Sequence, residues 1–488
     1  MRQLSGIDAS FLSWEGPTTV GHVTSVIIID PSTSPEPWTF ERYRRHLLSR
    51  LDRLGPLTQK LVEVPFGLDR PYWVPDPDFD LDYHLRYVAV PGGGSREHFA
   101  DLVARIHERP LDRRRPLWEC YVVDGVDGDR KAIISKIHHA AIDGLSGQEI
   151  LAVLVDLDPT TPVPDTPPVN QPADTSAAGT ESVEVGDLLA KAAVSLFSSP
   201  ARLLRAGVTV GRALPVLGVA LGRNAPIARG DETTQELLRR FGGAPRTPFN
   251  ASIGPHRRWS FVSVALDDVK AIKNMAGATV NDVLLAIVGG VLRSWLHDRQ
   301  ELPDRPLAAM VPLSVRQPED VDAIGNFISS TVATLATHLD EPAERLATIK
   351  AGMDAAKAQH EALPAEILTD ITQMAPPAVA ALAARLVAST KLADRVTLPF
   401  NLVVSNVPGP PIPIYLAGAL IVGHFPVSAI VDGVGLNVTV MSINGKLDFG
   451  FVSDRELIDD LWALADRVPA AVVELANAVG ADISITDV

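Results

Sequence analysis

A proline-rich segment from Asp158 to Thr180 limits most strongly what this chain can fold into. Its prolines lie among Thr, Asp, Ala and Ser, a composition that cannot bury a core and favours an extended linker. The 488 residues also exceed what one ordinary hydrophobic core holds. We therefore predict two domains, with these boundaries: an N-terminal domain 1–157, a linker 158–182, a helical connector 183–245 and a C-terminal domain 246–488.

Strand and helix patterns alternate in both halves, which predicts the α/β class with two mixed-sheet sandwiches. A β-like run, Ala132–Ile137, lies in the first half. The second half contains a helical repeat over Val280–Trp295, and Asn444-Gly445 between two apolar runs predicts a hairpin. Leu457, Leu461 and Leu464 predict a final helix that starts near Asp454. The other predicted elements are strands over Trp259–Ala265, Leu307–Leu313, Phe327–Leu335 and Asn401–Val407, and a helix over Glu341–His360.

The motif HHxxxDG follows the β-like run at His138–Gly144. A histidine at a strand end can take a proton from an alcohol or amine near neutral pH, so His139 is the candidate base. Asp143 is better suited to fix the loop by pairing with an arginine, and Gly144 suits an unusual backbone conformation. Two other interpretations of the motif are ordinary surface or core histidines, and a zinc site. Adjacent histidines point apart and no third ligand cluster is evident, which disfavours zinc.

Composition and missing motifs exclude several function classes. The net charge of −15 and a pI near 5.3 disfavour a nucleic-acid partner. Cys120 is the only cysteine and falls in an apolar run, so we expect neither a disulfide nor a thiol nucleophile. The chain has no G-x-S-x-G elbow and no glycine-rich phosphate loop. We therefore expect direct attack by the acceptor, without a covalent enzyme intermediate, and no metal, nicotinamide, ATP or other cofactor.

The N-terminus lacks a secretory signal and no run of about 18 apolar residues occurs, so we expect an internal location. A mean hydropathy of +0.13 nevertheless suggests contact with lipid. Val183–Leu221 combines an apolar stripe with Arg202, Arg205 and Arg212. This segment is either a packed connecting helix or a basic amphipathic element on a membrane surface. The prediction is a cytoplasmic protein associated peripherally with the inner membrane or lipid droplets.

Taken in order, the motifs of the chain resemble those of the bacterial wax ester synthase/diacylglycerol acyltransferase family. This family has the chloramphenicol acetyltransferase-like fold that also includes condensation domains. The resemblance is collinear over nearly the whole chain. Its motifs are Leu4-Ser5-Gly6-Ile7-Asp8 with Phe11, Pro116-Leu117-Trp118, HHxxxDG, Asn281-Asp282, Val311-Pro312-Leu313-Ser314-Val315-Arg316, Gly325-Asn326 and Ser405-Asn406-Val407-Pro408-Gly409-Pro410.

The resemblance implies two chloramphenicol acetyltransferase-like sandwich domains with an active-site tunnel between them. His139 would be the general base and His138 a neighbour that shapes the loop. Asp143 would pair across the tunnel with Arg316. Asp448-Phe449-Gly450 resembles a structural motif of the superfamily, although Phe451 and Val452 replace the expected Trp and Gly. Wall or support residues near the substrate would be Pro116, Leu117, Trp118, Asn281 and Asp282.

The resemblance further implies transfer of a long-chain acyl group from acyl-CoA, as co-substrate, to diacylglycerol or a fatty alcohol. Two alternatives stay open. The first is an acyltransferase of the same fold that uses another alcohol or amine acceptor, or a carrier-protein donor. The second is a lipid-surface binding protein without turnover, which retention of the histidine motif disfavours. A homodimer is compatible with the sequence.

Overall fold

The computed structural model describes residues 2–65, 69–92, 94–142, 147–165, 243–314, 328–361 and 398–484. Most of the predicted linker and connector, and the whole segment 183–221, therefore lie outside the described residues. Among the helices of the described ranges, none taken singly has both the length and the apolar composition of a membrane span. Two consecutive helices, Leu266–Ala276 and Val280–Asp298, reach the length and apolar composition of a span only when taken together. The chain bends by 103° between them.

The first half, residues 2–165, contains seven strands and five α-helices among its described residues. In chain order they are β1 Arg2–Gln3, α1 Gly6–Trp14, β2 His22–Asp30, α2 Phe40–Leu48, β3 Gln59–Val62, β4 Tyr72–Pro75, α3 Leu81–His84, β5 Leu85–Ala89, α4 Arg96–His107, β6 Trp118–Val126, β7 Arg130–His138 and α5 Gly147–Leu154.

The second half, residues 243–484, contains eight strands and five helices among its described residues. They are β8 Arg257–Ala265, α6 Leu266–Ala276, α7 Val280–Asp298, β9 Ala308–Ser314, β10 Ile328–Thr334, α8 Pro342–Glu361, β11 Leu402–Val407, β12 Tyr415–Leu416, β13 Ala419–Val427, β14 Leu436–Ile443, β15 Lys446–Asp454, α9 Trp462–Ala465 and α10 Val468–Val479.

Two six-stranded sheets form the frame, which confirms the predicted α/β class. The first sheet has the order β12-β13-β2-β7-β6-β5 and the second the order β10-β9-β11-β14-β15-β8. β13 pairs antiparallel with β2, although about 390 residues separate them. The C-terminal domain predicted over 246–488 thus contributes two strands to the first sheet. A small third sheet has the order β1-β4-β3.

The core of the second half is built around α7, because apolar side chains cover most of its circumference. Val283, Leu284 and Leu292 are at most 1% exposed. Thr279 caps the helix: its hydroxyl accepts the Asp282 N–H, and the Asp282 carboxylate accepts the Thr279 N–H at 2.9 Å. This reciprocal capping box satisfies helix donors that would otherwise lack partners. The helix predicted from Val280 is therefore confirmed.

The strands predicted in the second half are confirmed to within a few residues, and so is the hairpin. Asn444 and Gly445 have φ values of 46° and 75°, as a tight two-residue hairpin turn requires. The final helix predicted near Asp454 is wrong. β15 extends to Asp454, whose carboxylate accepts the N–H groups of Glu456 and Leu457 and forms a turn there. The long terminal helix begins only at Val468.

The two large sheets meet where β13 lies against β15. Gly450 approaches the β13 backbone so closely that a Cβ atom there would lie 1.9 Å from the Pro426 carbonyl oxygen. The buried Asp448 carboxylate accepts the His424 N–H and the Ser263 hydroxyl, both at 2.6 Å. Burial raises the pKa of Asp448 to about 6. These contacts show that Asp448-Phe449-Gly450 is a structural contact between the sheets.

Candidate active site

The two histidines of the motif lie where β7 ends, in the middle of the first sheet. Residues alternate between the two faces of this strand, and His138 is the last buried residue of one face. It lies opposite His22 of β2 in the ladder. A short 3₁₀ turn, His139–Ala141, follows at once, and the His139 N–H donates to the Gly21 carbonyl at 2.9 Å. The strand end therefore places two adjacent rings in two different environments.

The His139 ring is half-buried and stacks on Phe11 of α1, with 4.5 Å between ring centroids and 13° between the planes. Among the residues the structure describes, neither of its ring nitrogens has a hydrogen-bond partner. Burial and the neighbouring His138 lower its pKa to about 4. The ring is thus neutral at pH 7 and can accept a proton from a substrate.

The His138 ring is buried, with 1% exposure, and both of its nitrogens face polar groups of the protein. Nδ1 accepts the Ala140 N–H at 3.0 Å. Nε2 lies 3.2 Å from Glu15 Oε1, which is an electrostatic contact without the alignment of a linear hydrogen bond. An acceptor nitrogen carries no proton, so the proton of the neutral ring is on Nε2, facing the carboxylate. His138 shapes the turn and presents no free nitrogen to a substrate.

The loop that connects α1 to β2 closes over His138. Gly21 donates its N–H to Glu15 Oε1 at 3.1 Å. A Cβ atom on Gly21 would lie 2.5 Å from His138 Nε2 and 2.9 Å from the Phe11 carbonyl oxygen. Only glycine fits this space, because real Cβ atoms do not approach other atoms so closely. The residue type at position 21 is thus dictated by the histidine beside it.

Three basic side chains lie under the strand end, on the buried face of β2 and β7 and at the end of α4. The Lys136 ammonium donates to the carbonyls of Ile106, at 3.0 Å, and Arg109, at the C-terminal end of α4. His22 Nε2 donates to the His107 carbonyl at 2.6 Å. Burial lowers the pKa of Lys136 to about 8 and that of His107 to about 3. This cluster holds the end of α4 against the histidine strand.

Pro116 and Leu117, just before β6, and Trp118, its first residue, support the histidine strand. The Leu117 carbonyl accepts the His138 N–H at 3.0 Å. The Trp118 indole donates to the Leu57 carbonyl at 2.7 Å and stacks on His84. All three residues are buried, which suits their prediction as support residues. Contact with substrate stays a prediction.

The remaining predicted residues are divided between α7 and segments outside the described ranges. Asp282 is 2% exposed and its carboxylate is used in the capping box, whereas Asn281 beside it is half-buried. Substrate contact by either residue stays a prediction. Asp143, Gly144 and Arg316 lie outside the described residues, so the predicted pair between Asp143 and Arg316 is untested. Within the described ranges, no group of three His, Cys, Asp or Glu side chains could hold a metal ion.

Sequence reasoning missed Glu15 and Arg113 as residues that surround the motif histidines. The Glu15 carboxylate accepts two hydrogen bonds from Arg113, at 3.0 Å from Nε and 2.6 Å from Nη2. The two residues are 98 positions apart and neither belongs to a recognised motif. The one local signal was spacing: Glu15 is the C-cap of α1 and follows Phe11 by four residues, so both lie near the same end of the helix. One helix therefore meets both histidines.

Comparison with known proteins agrees with this geometry. Residues 4–284 match the wax ester synthase/diacylglycerol acyltransferase catalytic domain, and residues 324–476 match the C-terminal domain of the same family. A putative diacylglycerol O-acyltransferase of Mycobacterium tuberculosis is 35% identical over 476 residues, covering 97% of this chain and 90% of the relative. A probable diacylglycerol O-acyltransferase of the same species is 36% identical, covering 97% and 98% of the two chains.

Solved structures show the same relationship. The wax ester synthase/diacylglycerol acyltransferase from Marinobacter aquaeolei VT8 superposes with a TM-score of 0.66 at 26% identity, covering 98% of this chain and 100% of that chain. The starter condensation domain of rhizomide synthetase, at 13% identity and a TM-score of 0.52, shares the fold, with 98% of this chain and 95% of that chain covered. The chain belongs to the wax ester synthase/diacylglycerol acyltransferase family and is an acyltransferase.

Proposed function

We propose that the protein transfers a long-chain acyl group from acyl-CoA to the hydroxyl of diacylglycerol or a fatty alcohol, with His139 as the general base. One observation supports the assignment of the base above all others. Of the two motif histidines, only His139 has ring nitrogens that contact no polar group among the described residues. His138 is occupied by Ala140 and Glu15. A general base must reach the proton it removes, so His139 alone of the pair suits the task.

In the proposed reaction, neutral His139 takes the proton of the acceptor hydroxyl as its oxygen attacks the thioester carbonyl carbon. Collapse of the tetrahedral intermediate breaks the carbon–sulfur bond, and the imidazolium returns its proton to the CoA thiolate. The products are the ester and free CoA, so the reaction balances without a metal or a redox cofactor. Turnover should therefore survive dialysis against EDTA.

The environment of His139 keeps the base form available and favours the second proton transfer, while it weakens the ring as a base in the first. A pKa of about 4 keeps the ring unprotonated in the free enzyme at neutral pH. The same environment makes the imidazolium a strong acid once it forms, which favours proton transfer to the leaving thiolate. The Phe11 face at 4.5 Å limits the cost of that transient charge through a cation–π contact.

The test is a turnover assay of purified protein with radiolabelled palmitoyl-CoA and a panel of hexadecanol, dipalmitoylglycerol and hexadecylamine. His139→Ala should lower turnover on the preferred acceptor by roughly 10²- to 10⁴-fold, and His138→Ala by less. His297→Ala is the matched control, because that histidine is 72% exposed at the end of α7. A folded His139→Ala protein with wild-type turnover would refute the assignment.

The acceptor panel separates the alternatives. Preference for hexadecylamine would identify an amine acyltransferase of the same fold. Turnover with palmitoyl-phosphopantetheinyl carrier protein, but not with palmitoyl-CoA, would identify a carrier-protein donor. Absence of turnover with every donor and acceptor, together with binding to lipid, would favour the non-catalytic lipid-surface protein.

A further inference from the structure

The carboxylate of Glu15, at the C-terminal end of α1, is the centre of an ionic cluster beside the histidines. Oε1 accepts the Gly21 N–H and faces His138, and Oε2 accepts both hydrogen bonds from Arg113. The side chain is only 12% exposed. Burial alone would raise its pKa, but His138 and Arg113 together lower that pKa to about 2. Glu15 is therefore a buried anion at neutral pH.

This anion touches the one nitrogen of His138 that carries the proton of the neutral ring. The opposite nitrogen, Nδ1, must stay unprotonated in order to accept the Ala140 N–H at 3.0 Å. If the proton moved to Nδ1, that hydrogen bond would be lost and Nε2 would present a lone pair to the carboxylate. Ala140 is the residue after His139, so the same hydrogen bond fixes the turn from which the His139 ring projects.

Arg113 holds the carboxylate in place, and a residue of the second half holds the loop around it. The Arg113 guanidinium also donates to the Leu12 carbonyl of α1 at 2.6 Å. Thr18, inside the loop between α1 and β2, accepts a hydrogen bond through its carbonyl from Arg257 of β8. Arg257 is 4% exposed. The position of Glu15 thus depends on both halves of the protein.

We propose that Glu15, anchored by Arg113, is a positioning residue: it fixes the tautomer of His138 and, through the Ala140 hydrogen bond, the orientation of His139. This inference rests on the proposed function, because it requires His139 to be the base. It assigns a role to His138 as well, that of the link between the carboxylate and the turn. Glu15 itself does not contact the reacting atoms.

The experiment is a double-mutant cycle on turnover with palmitoyl-CoA. Glu15→Gln keeps the size of the side chain but places a donor against either Arg113 or Gly21. We expect kcat to fall roughly tenfold to a hundredfold, as for a catalytic group misplaced by about 1 Å, with KM for palmitoyl-CoA unchanged. In the His138→Ala background, where the link is already cut, Glu15→Gln should change kcat less than about twofold.

Glu63→Gln is the matched control. Glu63 lies 3.6 Å from the same Arg113 but is 64% exposed and contacts neither histidine, so its loss should leave kcat unchanged. Arg113→Gln provides a second route in case Glu15→Gln does not fold, and it should show the same coupling to His138→Ala with a smaller loss. Thermal unfolding of every variant establishes that the compared proteins are folded.

Two results would overturn the inference while leaving the proposed function intact. One is a folded Glu15→Gln protein with wild-type kcat, measured beside an inactive His139→Ala protein. The other is an equal loss in both backgrounds, which would show that Glu15 acts independently of His138. An active His139→Ala protein would overturn the inference and the proposed function together.

Discussion

Gly21→Ala is the sharpest test of how tightly the site is packed. The added Cβ would lie 2.5 Å from His138 Nε2, 2.9 Å from the Phe11 carbonyl oxygen and 3.0 Å from Glu15 Cγ. An ordinary contact distance requires a shift of about 1 Å. The Phe11 oxygen belongs to the backbone of α1 and yields little, so the histidine ring must move. That movement breaks the hydrogen bond from Ala140 to Nδ1.

Two magnitudes follow for Gly21→Ala. Overpacking of a tight site costs about 1–3 kcal/mol in the free energy of unfolding, which a domain of this size can tolerate. A displacement of about 1 Å at a catalytic group costs on the order of a hundredfold in turnover. We therefore expect a protein that is folded at 25 °C, with a moderately lowered Tm and a kcat reduced far more than its stability would suggest.

The assay measures kcat with palmitoyl-CoA together with thermal unfolding, for Gly21→Ala and for Gly16→Ala as control. Gly16 lies in the same loop, but no atom lies within 4 Å of the Cβ it would gain. Its substitution should change neither quantity appreciably. The reasoning fails if folded Gly21→Ala keeps its kcat within about twofold, or if Gly16→Ala loses as much activity.

Three further predictions concern pH, the motif carboxylate and the lipid surface. Because the pKa of His139 is lowered to about 4, its base form is lost only as the pH falls through that value; the acid limb of kcat/KM should lie well below 6.5. The buried His46, His107 and His424, with pKa values lowered by burial to about 4, 3 and 4, act on stability instead. In the unfolded chain these histidines bind protons as the pH falls below about 6.5, whereas in the folded protein they stay neutral until about pH 4. The free energy of unfolding should therefore decrease between these two pH values, as denaturant titrations at each pH would show. A constant free energy of unfolding would contradict this. Asp143→Ala and Arg316→Ala should each lower activity, and a double-mutant cycle should show less than the sum of the two losses if they pair; strict additivity would exclude the pair. Both proposed acceptors partition into lipid, so the protein should sediment with anionic liposomes, and salt should weaken this binding. Replacing Arg202, Arg205 and Arg212 by glutamate should release the protein from the liposomes. Unchanged sedimentation with full activity would instead identify 183–221 as an internal packing helix.

The sequence predicted those elements whose signals are local. The helix from Val280 has its cap and its apolar period within one stretch, and the hairpin at Asn444-Gly445 has its turn residues between its own strands. The position of His139 at the end of a strand was also predictable, because a strand, two histidines and a turn are adjacent in the chain. In each case the determining residues lie within about twenty positions of one another.

Features that depend on distant partners were not predictable from one sequence. β13 contains Pro426, which disfavours a strand by its missing N–H. The short strand β12 pairs with β13 only at residues 419–420. On that side of β13, no neighbouring strand among the described residues reaches Pro426, so its missing N–H breaks no hydrogen bond between strands there. The role of Glu15 likewise depends on Arg113 and on a histidine 123 positions away in the chain. The helix predicted at Asp454 failed because a side-chain hydrogen bond favours a turn there over the apolar period.

The pairing of β13 with β2 also bears on how the protein is made. Val26, Ile27, Ile28 and Ile29 of β2 leave the ribosome about 390 residues before the strand that covers their edge. At a synthesis rate of about 5–20 residues per second, that edge waits roughly 20–80 s for its partner. An unpaired, apolar, uncharged strand edge is a template for aggregation. Recombinant yield should therefore depend on chaperone supply and growth temperature during those seconds, and a fragment that ends before β13 would keep the edge open permanently.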